Sequence, residues 1–231
     1  MAQEDRNPTF LSKDFFQYPI SRQSMDQQND IPASDSRRYT EYLVEFMTQS
    51  RCAVGVVDMV NSSKISAQIG PKKSARYYQV FLNSMSKIIS SYDGIVIKNI
   101  GDCLLYHFPD SDSDKKGLTN CIECSLEMIR SQKYISEQLV SEGLPNIDFR
   151  VSADYGTVLL MNTNVSEVFD IIGSPVNMCS KINRLAAKNQ FVIGGDLFQM
   201  IKEFNVCQFK EISDYSLGFK LSYPVYSVLN K

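Results

Sequence analysis

From residue 52 onward the chain switches repeatedly between two hydrophobic rhythms. Cys52 to Val60 (CAVGVVDMV) is a nearly continuous apolar run and predicts a buried strand. Ser62 to Tyr92 changes to helical spacing, is interrupted at Gly70-Pro71, and resumes along Tyr77, Tyr78, Phe81, Met85, Ile88 and Ile89. Ile95 to Ile100 and Cys103 to Phe108 read as two strands joined at Gly101-Asp102, a tight hairpin. Leu118, Ile122, Leu126 and Ile129 keep helical spacing and predict a helix from Leu118 to about Leu139. Ile147 to Asp154 and Thr157 to Met161 read as two strands around Gly156. The order strand-helix-strand-strand-helix-strand is that of an α+β, ferredoxin-like split βαβ core. A C-terminal αβ extension follows: a strand at Val168–Ile172, a helix from Pro175 to Lys188, a strand at Phe191–Ile193, a helix to Phe204, and terminal strands near 206–209 and 225–229.

The first 36 residues follow neither rhythm. Asn7-Pro8, Tyr18-Pro19 and the polar run Asp26–Asp30 bury too little to fold alone, so 1–36 reads as a flexible or irregular arm. Phe10, Phe15, Phe16 and Tyr18 keep open a strip laid on the domain. Residues 37–49 predict a short helix with Tyr39, Leu43, Phe46 and Met47 near one face, leaving 50–231 as the main domain.

Charge and cysteine usage narrow the function classes. The 231 residues carry 24 Lys+Arg against 26 Asp+Glu, a net −2, which argues against a nucleic-acid binder. The longest apolar stretch stops at Asp58, far short of the ~18 residues of a membrane span. The opening Met-Ala-Gln-Glu-Asp lacks the basic-then-apolar order of a signal peptide, so the expectation is a cytoplasmic protein with reduced, mostly buried thiols. Of the six cysteines only Cys121 and Cys124 form a CxxC pair, inside a helical pattern and without a second pair to complete a zinc site.

Three groups of polar residues break the apolar patterns. Asp58 is a charge within a strongly apolar strand, and Asp102 sits at the hairpin turn of the next two strands. If these strands are neighbours, both carboxylates reach one sheet edge and offer the oxygen ligands that hard divalent cations prefer. The alternative is a strand that ends at the surface and an ordinary turn aspartate. Lys98 lies in a strand on the face of Val96 and Ile100, and Asp170 lies within Val168–Ile172; an inward charge among aliphatic side chains needs a partner. Such a pair could read a purine edge, one donating and one accepting, or serve as a salt bridge. Asn177 and Lys181 stand four apart after Gly173-Ser174-Pro175 and share a helix face, where they could orient a ribose and meet a phosphate or simply be solvated.

Taken together, Cys52–Ser63, Gly94–Phe108, Arg150–Val158 and Phe169–Lys181 resemble the four blocks of the class III nucleotidyl cyclase catalytic domain, in order, from about residue 50 to the C-terminus. The resemblance implies that Asp58 and Asp102 are metal aspartates with the Met59 carbonyl as a further ligand. It makes Lys98 and Asp170 an adenine-reading pair, sets Arg150 on the triphosphate and Asn177 on the ribose, and puts Lys181 where the family has its transition-state arginine. It further implies two divalent cations, Mg²⁺ or Mn²⁺, ATP as substrate, and a head-to-tail homodimer whose sites are each built by both subunits.

The chain departs from the family pattern at two places. The family's Asp-Ile-x-Gly-Phe-Thr stands here as Asp58-Met59-Val60-Asn61-Ser62-Ser63, without the glycine and phenylalanine. Lys181 keeps a charge but lacks the planar fork of arginine, so slower chemistry is expected. Lys220 is a further candidate phosphate contact, and His107, the only histidine, reads as structural. Gly194-Gly195-Asp196-Leu197-Phe198 resembles the GGDEF signature of diguanylate cyclases, but Leu197, Met200, Ile201 and Phe204 continue at helical spacing and Asp196 reads as a helix N-cap. The expected function is an adenylate cyclase, ATP to cyclic AMP and pyrophosphate. The alternative is a catalytically weak cyclase-like module that binds nucleotide or dimerises in a regulatory role.

Overall fold

The structure, a computed structural model, describes residues 42–109, 115–164, 166–204, 207–213 and 223–230. The expected N-terminal arm and Lys220 lie outside the described residues. In chain order the elements are β1 (Val44–Met59), α1 (Ser62–Ile69), α2 (Pro71–Ser91), β2 (Ile95–Ile100), β3 (Cys103–Pro109), α3 (Lys116–Ser141), β4 (Phe149–Thr163), β5 (Ser166–Gly173), α4 (Ser174–Ile182), a 3-10 turn (Asn183–Leu185), β6 (Gln190–Gly194), α5 (Gly195–Ile201), β7 (Cys207–Ile212) and β8 (Val225–Asn230). The eight strands form one sheet in the order β2-β3-β1-β4-β6-β8-β7, with β5 paired to β4. Only β4 and β6 pair in parallel; the rest are antiparallel.

The apolar run at residues 52–59 is explained by burial on both faces of the sheet. Ala53, Val57 and Met59 point into the larger core, and Cys52, Val54 and Val56 into a smaller second one. That strict alternation is the period of two that any strand imposes. The larger core is closed by α2, α3 and α5, whose apolar stripes include Tyr77, Phe81, Met85 and Ile88, then Leu118, Ile122 and Ile135, then Leu197 and Ile201. Each such buried side chain contributes ~1.5–3 kcal/mol. Arg76 clamps α2 to the end of α3 by a fork onto Glu142, with Nε and Nη2 each donating to one carboxylate oxygen at 2.7 and 2.8 Å. The cysteines are thiols, five of them buried. No helix among the described residues is long and apolar enough to cross a membrane.

Four sequence expectations change. Residues 44–49 are strand, not helix: β1 pairs with the far end of β4 from Val44↔Thr163 through Ser50↔Val158. A ladder of backbone hydrogen bonds outweighs a helical stripe only about three turns long. The two strands expected over 147–161 are a single one, β4 (Phe149–Thr163), because Gly156 does not turn the chain. A Cβ there would stand 3.3 Å from the Pro175 ring, so glycine makes room for α4. The helix begun at Ser174 ends at Ile182, not Lys188. Asp196 lies in the first turn of α5 behind Gly194, without a side-chain cap bond, although the helix itself forms as expected.

Candidate active site

Asp58 is the last residue of β1 to fall on the second face, at the open end where the small core runs out. Its register partners are Cys103 on β3 and Arg150 on β4. The β2–β3 turn at Gly101-Asp102, with Gly101 at φ 64°, puts Asp102 next to Cys103. Two carboxylates and one guanidinium therefore share one sheet edge. The electrostatics record the crowding. The Asp58 carboxyl is pushed up to about 6, first by burial, next by Asp102, with Arg150 pulling the other way. Burial, followed by the same two aspartates, pushes the Cys103 thiol up to about 12, so that thiol is inert. Arg150 keeps a buried Nε–H that no described residue accepts.

The turn after Asp58 accounts for one departure from the family pattern. Asn61 adopts φ 60°, ψ 25°, the left-handed conformation that glycine tolerates best and asparagine next. The missing glycine therefore costs the turn little, and α1 starts on schedule at a buried Ser62.

Lys98 and Asp170 meet. The Lys98 ammonium donates to one oxygen of Asp170, and the Ile171 amide donates to the other at 2.8 Å. The route differs from the alternation expected in β2. A register shift between Val96 and Lys98 breaks the period, so Val96 packs on the larger core while Ile97 enters the second, and Lys98 pairs with Leu105 of the second core. Lys98 is consequently a half-exposed residue on the second face rather than an inward one beside Val96; its side chain is 42% exposed and that of Asp170 20%. β5 reaches across that face, which also sets Phe169 edge-on to His107, ring centroids 6.0 Å apart.

Asn177 and Lys181 are both exposed on one side of α4, whose other side packs Met178, Cys179 and Ile182 inward. The helix runs back along β4. Its first turn lies against Gly156 and Gly173, and its end comes under Arg150, whose carbonyl accepts from Asn183 Nδ2 at 3.4 Å. Of the eight expected site residues, Asp58, Met59, Asp102 and Arg150 thus lie at one sheet edge and Lys98 and Asp170 form a pair, while Asn177 and Lys181 are exposed on α4.

Two buried polar residues at this site, Ser152 and Asn183, escaped the sequence reading. A serine in a strand and an asparagine just after a helix carry no distinguishing signal in isolation. The only clue was the alternation Arg150, Ser152, Asp154, a polar line on one face of an otherwise apolar strand.

Residues 44–227 match the family described as the adenylate and guanylate cyclase catalytic domain. The chain belongs to that family. An adenylate cyclase of Streptomyces coelicolor is 22% identical over 149 residues, which are 64% of this chain and 34% of that protein. A cytidylate cyclase of Staphylococcus aureus is 23% identical over 148 residues, 61% of this chain and 35% of that one. The chain thus spans only about a third of the length of these relatives. Among solved structures, the adenylyl cyclase CyaB from P. aeruginosa superimposes with a TM-score of 0.72 at 22% identity, covering 81% of this chain and 97% of that one. The α+β class III cyclase fold is therefore the fold of this chain.

Proposed function

We propose that this cyclase domain uses ATP, closing it to cyclic AMP with release of pyrophosphate, in a head-to-tail homodimer. The observation that carries this reading is the Lys98–Asp170 pair: an ammonium and a carboxylate held together on the second face, one able to donate and one to accept, as an adenine edge requires. Asp58, Asp102 and Arg150 on one sheet edge supply the phosphate end.

The donor set fits a hard divalent cation. Asp58 and Asp102 present only oxygens; burial first, and Asp102 next, push the Asp58 carboxyl up to about 6, and a bound cation would favour its charged form. No cluster of three or more acidic, cysteine or histidine ligands occurs among the described residues, so the Met59 carbonyl and substrate phosphates would complete the shell of Mg²⁺ or Mn²⁺. Two such ions, when bound, supply Lewis-acid stabilisation of the attacking and leaving oxygens.

The remaining work falls to the side chains. Lys98 and Asp170 fix the base, and Asn177 orients the ribose so that its 3′-oxygen faces the α-phosphorus. The bond from O3′ to the α-phosphorus forms as the bond to the β-phosphate bridging oxygen breaks. The 3′-hydroxyl proton passes to solvent, and pyrophosphate leaves with both electrons of the broken bond. Arg150, whose Nε–H has no acceptor among the described residues, pairs with phosphate oxygen, and Lys181 places a point charge where negative charge develops. Positioning and electrostatics carry most of the rate in such transfers.

The proposed dimer would build each site from two copies. A head-to-tail partner would set the Asp58 edge of one copy against the Lys98, Asp170, Asn177 and Lys181 group of the other. Exposed Ile100, Val168 and Ile172, at 58, 59 and 38%, lie around that group as an apolar margin for the second copy.

The test is cyclic-nucleotide formation from each of ATP, GTP, CTP and UTP with Mg²⁺ or Mn²⁺, across a protein dilution series. Cyclic AMP from ATP, with specific activity falling on dilution, is the expected result. A preference for CTP would overturn the adenine assignment, and no product from a folded dimer would leave the regulatory-module reading.

A further inference from the structure

Between β1, β4 and the end of α4 lies a polar knot with no apolar reason to exist. Ser152 is fully buried and Asn183 is 4% exposed. The Asn183 side-chain amide donates to Ser152 Oγ at 3.2 Å and, at longer range, to the carbonyls of Arg150 and Val56 at 3.4 and 3.5 Å. Ser152 Oγ in turn donates to the Cys179 carbonyl at 3.0 Å. Around them stand Val56 and Cys179 of the second core and Met178 and Ile182 of a third. Small apolar residues would fill this space, and a buried amide costs free energy unless its hydrogen bonds are met.

We infer that Ser152 and Asn183 are positioning residues that fix the angle and height of α4 over the sheet. Each anchor point lies beside a site residue. Val56 is two residues before Asp58, the Arg150 carbonyl belongs to the phosphate-binding residue itself, and Cys179 sits between Asn177 and Lys181. A helix held only by Met178, Cys179 and Ile182 in an apolar groove can slide or rotate at little cost, because hydrophobic contact is non-directional. An amide spread over acceptors on two strands, with a hydroxyl relaying to the helix carbonyl, allows one placement only. The pair thereby sets where Asn177 and Lys181 stand relative to Asp58 and Arg150. In the head-to-tail dimer, the reading on which this inference rests, that distance also links the two sites, since the Asp58–Arg150 edge of one copy serves one site and its α4 serves the other.

The test compares Ser152→Ala, Asn183→Leu and the conservative Ser152→Thr in the full chain, at a temperature where all are folded. For the first two, kcat for ATP should fall about 10–100-fold with KM within about threefold, as expected when a reacting geometry is displaced by an ångström or less. Amide hydrogen exchange across Asn177–Ile182 should accelerate at least about tenfold while exchange in β4 and β6 stays as in the wild type, and Ser152→Thr should restore both readouts. An unchanged kcat, or one that falls only with the folded fraction, overturns the positioning role, and so does unchanged exchange in α4. A wild-type chain that cyclises none of the four nucleotides instead sinks the cyclase reading, and the exchange rates alone then decide whether the pair pins the helix.

Discussion

The two faces of the sheet are built from the same strands and do different work. On the first, every inward position of β1, β3 and β4 is apolar, and three helices seal it: Tyr77, Phe81, Tyr106, Phe108 and Phe149 are essentially inaccessible. On the second, α4 covers only part of the sheet, and the inward positions include Asp58, Arg150, Ser152, Asp154 and His107. A face packed at interior density resists any change of volume, whereas a face of polar and charged groups spends stability on geometry. Damage to the first face should therefore be read in unfolding, and damage to the second in chemistry.

The widest separation is expected from Asp58→Ala. Turnover should drop by about 10³-fold or more, since a metal carboxylate contributes several kcal/mol to the transition state. The melting temperature should hold or rise, because the variant removes a carboxyl that burial and Asp102 hold up at about 6. Product assays and thermal unfolding on one preparation check both halves. Intact cyclic-nucleotide formation would refute the metal assignment.

Gly55→Ala is the counterpart on the first face. A Cβ there would sit 2.2 Å from the Tyr106 ring, which Phe108 flanks edge-on at 5.9 Å and whose hydroxyl is engaged with Ser125. The ring has nowhere to go, so the change should cost about 1–3 kcal/mol, or several degrees of melting temperature. Activity per folded molecule should stay near wild type. A variant that melts normally would show that this core has slack the structure does not display.

How much of this was legible in advance follows the same division. The first face announces itself, because spacing of three and four in α2 and α3 and alternation in β1 are direct images of burial. On the second face, Asp58 stood out as a charge in an apolar run, and Lys98 and Asp170 as strand charges in need of a partner, which they find in each other. The face of Lys98 was misread because a bulge at Ile97 shifts the period by one, and no single sequence marks a bulge in advance. Gly156 was misread as a turn because a glycine needed for a close approach to Pro175 looks the same as one needed for flexibility. Ser152 and Asn183 stayed hidden because their role lies in hydrogen bonds between residues up to 127 positions apart.

A smaller effect tests whether the second face is charged at a cost. Asp154 accepts from the Tyr155 and Leu197 amides and from the Tyr223 hydroxyl, yet burial pushes its carboxyl up from 3.8 to about 6. Between pH ~4 and ~6 the folded chain holds a proton that the unfolded chain has released, so this group's contribution falls as pH rises through that window and is flat above it. Asp154→Asn keeps an acceptor for the two amides and should remove that slope. Urea unfolding at pH 5 and 7 should show the stability difference changing by about 1 kcal/mol in favour of pH 7. An unaltered difference would mean that Asp154 is already ionised at pH 5.

The smallest effect concerns His107, where the two faces can be compared at one side chain. Its position on β3 alternates with first-face residues Tyr106 and Phe108, it is 6% exposed, and neither ring nitrogen has an acceptor or donor among the described residues. Desolvation lowers its pKa below the usual 6.5, so the folded imidazole stays neutral where the unfolded one takes a proton. Stability contributed here is complete above pH ~6.5 and lost as acid protonates the unfolded chain, the opposite sign to Asp154. His107→Leu, which fills a similar volume and meets Phe169 with a methyl edge, should raise stability by about 1 kcal/mol at pH 7 and by more at pH 5, with turnover unchanged. The two arms separate cleanly. A gain at both pH values makes the imidazole a cost that packing tolerates, whereas a loss at pH 7 means that its ring nitrogens are satisfied by a group outside the described residues, and the second face is then more complete than its partners show.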